Sequence, residues 1–184
     1  SLLDYLKNYP KSSMNIIVVV PKSTGPLIDE LRSLNIQFVC LKLPSWLLEV
    51  SRKKKLQALF KAPATLLYLP VLIKKIKALL QQHNVDVIHS TGLKFHILLM
   101  LACRHLNIQL FIHLRDIISS TSLKNVFWRL GKAKNIHFIA NSNITAKSLS
   151  PLPSIVIYNG FDNTQFCKTE SSLKKQLSLS SSDK

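Results

Sequence analysis

Two short stretches hold most of the side chains that could do chemistry: His89-Ser90-Thr91-Gly92 and His113-Leu114-Arg115-Asp116. The first combines an imidazole, two hydroxyls and a glycine, groups that suit sugar hydroxyls or a phosphate. The second places an imidazole, a guanidinium and a carboxylate within four residues, which offers a base, an anion-binding fork and a hydrogen-bonding ring. Each also has a plainer alternative. His89 could cap a strand with Gly92 only allowing the turn, and Arg115-Asp116 could be a surface turn.

Both stretches close short apolar runs, and the segment between them is of helical length. Val85–His89 and Gln109–Leu114 flank the apolar stretch Leu93–Leu106, with Gly92 as the break. Strand, turn, helix, strand at this spacing is a βαβ unit with parallel strands. Ligands in open α/β sheets bind beyond the carboxyl ends of the strands, where both runs turn polar. The chemistry is therefore expected on that edge.

The remainder of the chain repeats the alternation. Leu2–Tyr9 has helical spacing, and Asn15–Val20 (NIIVVV) has the unbroken β-branched character of a buried parallel strand. Gly25-Pro26 opens a helix to Leu34, and Gln37–Leu43 is the next strand, ended by Pro44. Trp46–Asn84 differs: it holds Arg52, Lys53, Lys54, Lys55, Lys61, Lys74, Lys75 and Lys77, with no acid between Glu49 and Asp86. Its pattern predicts a basic helix to about Lys61, a break at Ala62-Pro63 and a helix from about Leu69 to His83. Ser122–Gly131 is a further helix and Asn135–Ala140 a strand. Ser142 or Asn143 caps a short helix to Leu149, and Ile155–Tyr158 is a last short strand before Asn159-Gly160. Residues 163–184 are polar and Ser- and Lys-rich, a linker or frayed end.

At 184 residues, with 47 % apolar and 18 % charged residues, the chain is globular and long enough for one sizeable core. Three scattered cysteines (Cys40, Cys103, Cys167) argue against a disulfide framework or zinc site and fit a reducing, cytosolic compartment. No apolar run reaches the roughly 20 residues that span a bilayer. The six histidines show no metal-ligand spacing, so no metal is expected. The net charge of +16 stands apart. Lysines interleaved with Leu56, Leu59, Phe60, Ile73, Ile76, Leu79 and Leu80 suit an anionic membrane surface, and equally an ordinary solvated helix face. Nucleic acid ranks below both, since charge alone favours it and no nucleic-acid motif accompanies the charge.

In order and spacing, VDVIHSTG, FIHLRD, IHFIANSNITAKSL and SIVIYNGFDNTQF resemble the N-terminal half of GT-B glycosyltransferases of the retaining GT4 type. GPLIDELRSLNIQFVCLKLP is similar to that family's second helix and third strand. The most specific element is IYNGFDNTQF following IANSN, which family members use where the first Rossmann-like domain hands over to the second. The resemblance implies an α/β, three-layer Rossmann-like domain with a mainly parallel sheet over residues 1–162, one half of a GT-B fold. The family's first strand and Gly-Gly loop would precede Leu2, and its donor-binding C-terminal domain would follow this chain. In the strand order 3-2-1-4-5-6, Asn15–Val20 and Gln37–Leu43 would be strands 2 and 3 and Val85–His89 strand 4. Either a gap or a direct pairing is then expected between Asn15–Val20 and Val85–His89.

The resemblance further implies transfer of a sugar from a nucleotide-sugar donor to a glycan or lipid-linked acceptor, without a cofactor. His113 and Asp116 are the candidate catalytic residues. Either could orient the acceptor hydroxyl, and Asp116 could serve as general base unless nearby positive charge over-stabilises its ionised form. Candidate substrate-binding residues are His89, Ser90, Thr91, Gly92, Arg115 (for a phosphate or anionic acceptor group), Asn141, Ser142, Asn159 and Gly160, the last four shaping the cleft. Arg52, Lys53, Lys54, Lys55, Lys74, Lys75 and Lys77 are candidate membrane contacts on the inner membrane face. His83, His96, His105 and His137 read as helix-surface or packing residues. The isolated chain is expected to be inactive. The alternative reading is a non-catalytic membrane-docking subunit or scaffold that recruits a separate donor-binding domain.

Overall fold

The β-branched run Ile16–Val20 has little choice but to form a strand, because its side chains lose rotamer freedom in a helix and pack well on a pleated surface. In the computed structural model, which describes residues 2–10, 14–43 and 63–160, it gives β1 (Ile17–Val20). Two compact units divide the chain, Ser1–Leu69 and Pro70–Lys184.

In the first unit, α1 (Leu2–Asn8), β1, α2 (Pro26–Ser33) and β2 (Gln37–Cys40) follow in order. β1 and β2 are parallel, in register from Ile17 against Gln37 to Val20 against Cys40. Leu6, Val18, Val20, Ile28, Leu31 and Ile36 are its core. Proline at the first helical position starts α2. Asn35, at φ 54°, ends it, and the Ile36 N–H donates back to the Leu31 carbonyl at 2.9 Å. β2 stops short of the expected Leu43. The Leu41 N–H still reaches the Val20 carbonyl at 2.9 Å, but Pro21 carries no N–H to extend the ladder.

The helix expected from Leu69 is longer: α3 runs Pro63–Gln82 with Pro70 inside it. A proline there forgoes one backbone bond, yet the buried row Leu72, Ile76 and Leu80 continues beyond it. Asn84 (φ 46°) then ends the run as Asn35 does, with the Val85 N–H on the Leu80 carbonyl at 3.1 Å.

The second unit continues with β3 (Val87–Ser90), α4 (Leu93–Cys103), β4 (Gln109–Leu114), α5 (Thr121–Leu130), β5 (Ile136–Ala140), α6 (Asn143–Ser148) and β6 (Ile155–Val156). Its four strands are parallel, in the order β3-β4-β5-β6. α4 is apolar nearly all round, and such a helix must be buried; Ile97, Leu98, Met100, Ala102 and Cys103 are. Leu110, Ile112 and Leu114 line the buried face of β4. Ser120 caps α5, its hydroxyl accepting from the Leu123 N–H at 3.4 Å. β6 keeps only two of the four expected residues.

The architecture is α/β with parallel sheets, as a Rossmann-like domain requires. Direct pairing of β1 with β3 does not occur: the described strands form a two-stranded and a four-stranded sheet. Arg52, Lys53, Lys54, Lys55, the basic helix to Lys61 and the tail 163–184 lie outside the described residues.

Candidate active-site edge

Alternation along the strands decides which side chains meet. Register places His89 opposite Phe111, so His89 and His113 are diagonal neighbours on one face of the sheet. His89 Nε2 and His113 Nδ1 are 3.2 Å apart. The ring centroids are 5.3 Å apart and the planes 15° apart, the geometry of two rings meeting edge to edge through a shared proton. Burial first, then the Arg115 guanidinium, holds His89 below its usual imidazole range. His113 is lowered by burial, by His89 and by Arg115. Both rings are therefore neutral at neutral pH, and one must donate while the other accepts.

The tautomer of the pair sets what His113 offers next. Its Nε2 is buried with no hydrogen-bond partner. If His89 donates, that nitrogen carries a proton; if His113 donates, it carries a lone pair. Unsatisfied buried polar atoms are uncommon and costly, so this one marks a place where a ligand group could be accommodated.

Ser90 faces the other way. It is 4 % exposed, and its hydroxyl lies 2.7 Å from His96 Nδ1. The expectation that Ser90 contacts substrate is corrected on that ground: its oxygen is committed inside the core. Thr91 is exposed and Gly92 half-buried. Gly92 has an extended backbone (φ −115°, ψ 124°). A Cβ there would meet only Phe95, at 3.6 Å, so the fold itself does not demand glycine.

Arg115 and Asp116 are exposed where β4 ends. At the end of β5, Asn141 donates to the Arg115 carbonyl at 3.4 Å and accepts from the Thr145 hydroxyl at 3.0 Å. Ser142 accepts from the Thr145 N–H at 3.2 Å as the cap of α6. Asn159 and Gly160 follow β6, exposed, with open space around Gly160. The candidate residues of HSTG, HLRD, Asn141-Ser142 and Asn159-Gly160 thus follow the carboxyl ends of four adjacent parallel strands. Direct side-chain contact among them joins His89 to His113. Lys74 and Lys75 are exposed on α3 and Lys77 is half-buried. Among the described residues, no group of three or more His, Cys, Asp or Glu could hold a metal ion, and no helix is long and apolar enough to cross a membrane.

Sequence reasoning missed His96, which is neither a surface nor a simple packing residue. It is 1 % exposed, and burial pushes its pKa down to about 4, with His113 and His89 adding to the fall. A signal was available: besides Lys94 it is the only hydrogen-bonding side chain in the helix LKFHILLMLAC. A polar group buried in so apolar a helix needs a partner.

The model of the family described as Glycosyltransferase Family 4 matches residues 3–165. The chain belongs to that family. Two crystal structures of Anabaena Alr3699/HepE are similar to this glycosyltransferase family 4 chain. One, in complex with UDP and glucose, has a TM-score of 0.63 at 24 % identity, and the other, with UDP, has 0.64 at 23 %. Each match covers 96 % of this chain and 45 % of the HepE chain. A glycosyltransferase from Rickettsia africae ESF-5 aligns with a TM-score of 0.55 at 18 % identity, over 90 % of this chain and 42 % of its own. These likenesses show a shared fold, and the chain spans less than half the length of these neighbours. No curated protein matches the sequence.

Proposed function

We propose that this chain is the acceptor-side domain of a retaining GT-B glycosyltransferase, moving a sugar from a nucleotide-sugar donor to a glycan or lipid-linked acceptor in polysaccharide biosynthesis. The observation that carries the reading is the position of HSTG and HLRD at the carboxyl ends of adjacent parallel strands, within a chain matched to family 4 from residue 3 to 165. HepE binds UDP, glucose and UDP-glucose, which favours a nucleoside-diphosphate sugar as the donor class here. A non-catalytic docking subunit is not favoured by family or fold.

In this reading Asp116 takes the proton of the acceptor hydroxyl, or orients that hydroxyl together with His113. Arg115 faces an anionic acceptor group, and its charge keeps His89 and His113 neutral. Thr91, Gly92, Asn141, Asn159 and Gly160 shape the surrounding wall. Donor recognition belongs mainly to the second domain, so this chain alone binds nucleotide sugars weakly and transfers nothing. The setting is the cytoplasmic side of a membrane.

Asp116→Asn in the complete enzyme tests the assignment. Loss of a general base costs about 10²-fold or more in turnover, while an exposed Asp-to-Asn change leaves thermal unfolding nearly unmoved. Near-normal turnover removes Asp116 from the mechanism.

A further inference from the structure

Ser90 and His96 are a buried polar pair that the proposed reaction does not use. Between them they touch three elements near the candidate site. Ser90 is the last residue of β3, and its hydroxyl meets His96 Nδ1 at 2.7 Å. His96 sits one turn into α4 and makes a hydrogen bond to the backbone of His113, of the kind that favours the protonated ring. With Nδ1 facing Ser90, the Nε2–H is left to serve that backbone acceptor. The ring edge packs against Phe127 of α5, with centroids 6.3 Å apart and planes at 86°. A neutral imidazole held this way has one acceptor and one donor, and both are used.

We infer that the Ser90–His96 pair is a positioning device that locks the end of β3 to the end of β4, and so holds the His89 and His113 rings on the opposite face in hydrogen-bonding reach. The chain of contact is short. Ser90 follows His89 directly, so fixing Ser90 fixes the backbone that aims His89. The His113 backbone is held by the same ring, which fixes the other member of the pair. No neighbouring strand pairs with β3 on its far side among the described residues. Its end is therefore held by the β4 ladder and by His96. An apolar side chain at 96 would fill the space but could not bridge the two strand ends. That is the physical reason to place a histidine in an otherwise apolar helix despite its desolvation cost. His96 is a positioning residue; it reaches no substrate. The inference rests on reading this sheet edge as the sugar site, but its test does not.

The test uses [15N]histidine-labelled protein and reads the ring-nitrogen shifts of His89 and His113 by NMR at neutral pH. In the wild type each ring is locked in one tautomer, giving two widely separated nitrogen lines per ring. His96→Phe keeps the bulk and the contact with Phe127 but loses both hydrogen bonds. Averaged tautomers are expected at both His89 and His113. His96→Gln places an amide N–H near the position of Nε2 and should restore the locked pattern. His96→Asn mimics only Nδ1 and should not. Ser90→Ala, which removes one hydroxyl, guards against a variant that fails to fold, and it should also loosen the pair. Locked tautomers in folded His96→Phe or in Ser90→Ala overturn the inference and leave His96 as core packing. Transfer activity is not read, so a failed transferase assignment would leave this result standing.

Discussion

The histidines of the site edge link its geometry to pH. His96 is neutral in the fold down to about pH 4, whereas in the unfolded chain it takes a proton near the ordinary 6.5. Between those values the unfolded state binds more protons, so stability falls as pH falls. The contribution is fully present above 6.5 and is lost by about 4. A 2.5-unit difference corresponds to about 3 kcal/mol. His89 and His113, also lowered, act in the same direction. Denaturation midpoints measured from pH 7 to pH 4 should therefore drop steeply, and His96→Phe should flatten the decline. A wild-type midpoint independent of pH across that window would mean that His96 is solvated.

Elements are joined by a few side chains whose loss should be felt out of proportion to their size. The Asn135 amide donates to three carbonyls, those of Cys103, Leu106 and Ile108, at 2.9, 3.1 and 2.8 Å. It thereby closes the turn between α4 and β4 from the start of β5. Asn135→Ala leaves carbonyls without their donor and should cost about 1–3 kcal/mol, read as a lower urea midpoint at unchanged slope. Gly131 ends α5 against a wall: a Cβ there would lie 2.5 Å from Phe138 Cζ and 2.7 Å from the Phe127 carbonyl. Gly131→Ala should cost about 1–3 kcal/mol through overpacking, seen as a lower melting temperature. Gly160→Ala, with open space around it, should leave that temperature unchanged. These junctions also mark how far the sequence could be read. The period-2 and period-3.6 patterns of NIIVVV, GPLIDELRSL and QLFIHL locate strands and helices because burial follows periodicity. The His89–His113 contact depends on strand register, and the Ser90–His96 contact depends on how α4 packs over the sheet. Neither is a property of local spacing. Pro70 misled for a related reason, since burial of Leu72, Ile76 and Leu80 outweighs one missing N–H in α3.

At the scale of the whole molecule the net charge of +16 governs what the surface attracts. From Val50 to Phe161 the only acids are Asp86 and Asp116. In α3 the exposed Lys74 and Lys75 lie near Leu67 and Val71, which are 78 % and 46 % exposed. Lysine beside exposed apolar surface is what an interfacial helix presents to a bilayer. Each lysine or arginine near an anionic surface contributes about 1 kcal/mol, so a few of the eight basic residues between Arg52 and Lys77 suffice for detectable adsorption. The attraction weakens as salt shortens the Debye length from about 30 Å at 0.01 M to about 3 Å at 1 M. The chain should co-sediment with anionic vesicles at low salt, release at high salt and ignore neutral vesicles. Replacing Lys53, Lys54, Lys74 and Lys75 by glutamine should abolish the adsorption, whereas the same number of substitutions at Lys124, Arg129, Lys132 and Lys134 should only weaken it. Equal binding to neutral vesicles, or none to anionic ones, would return the charge to the role of a solvated surface and leave the sheet edge without a membrane beside it.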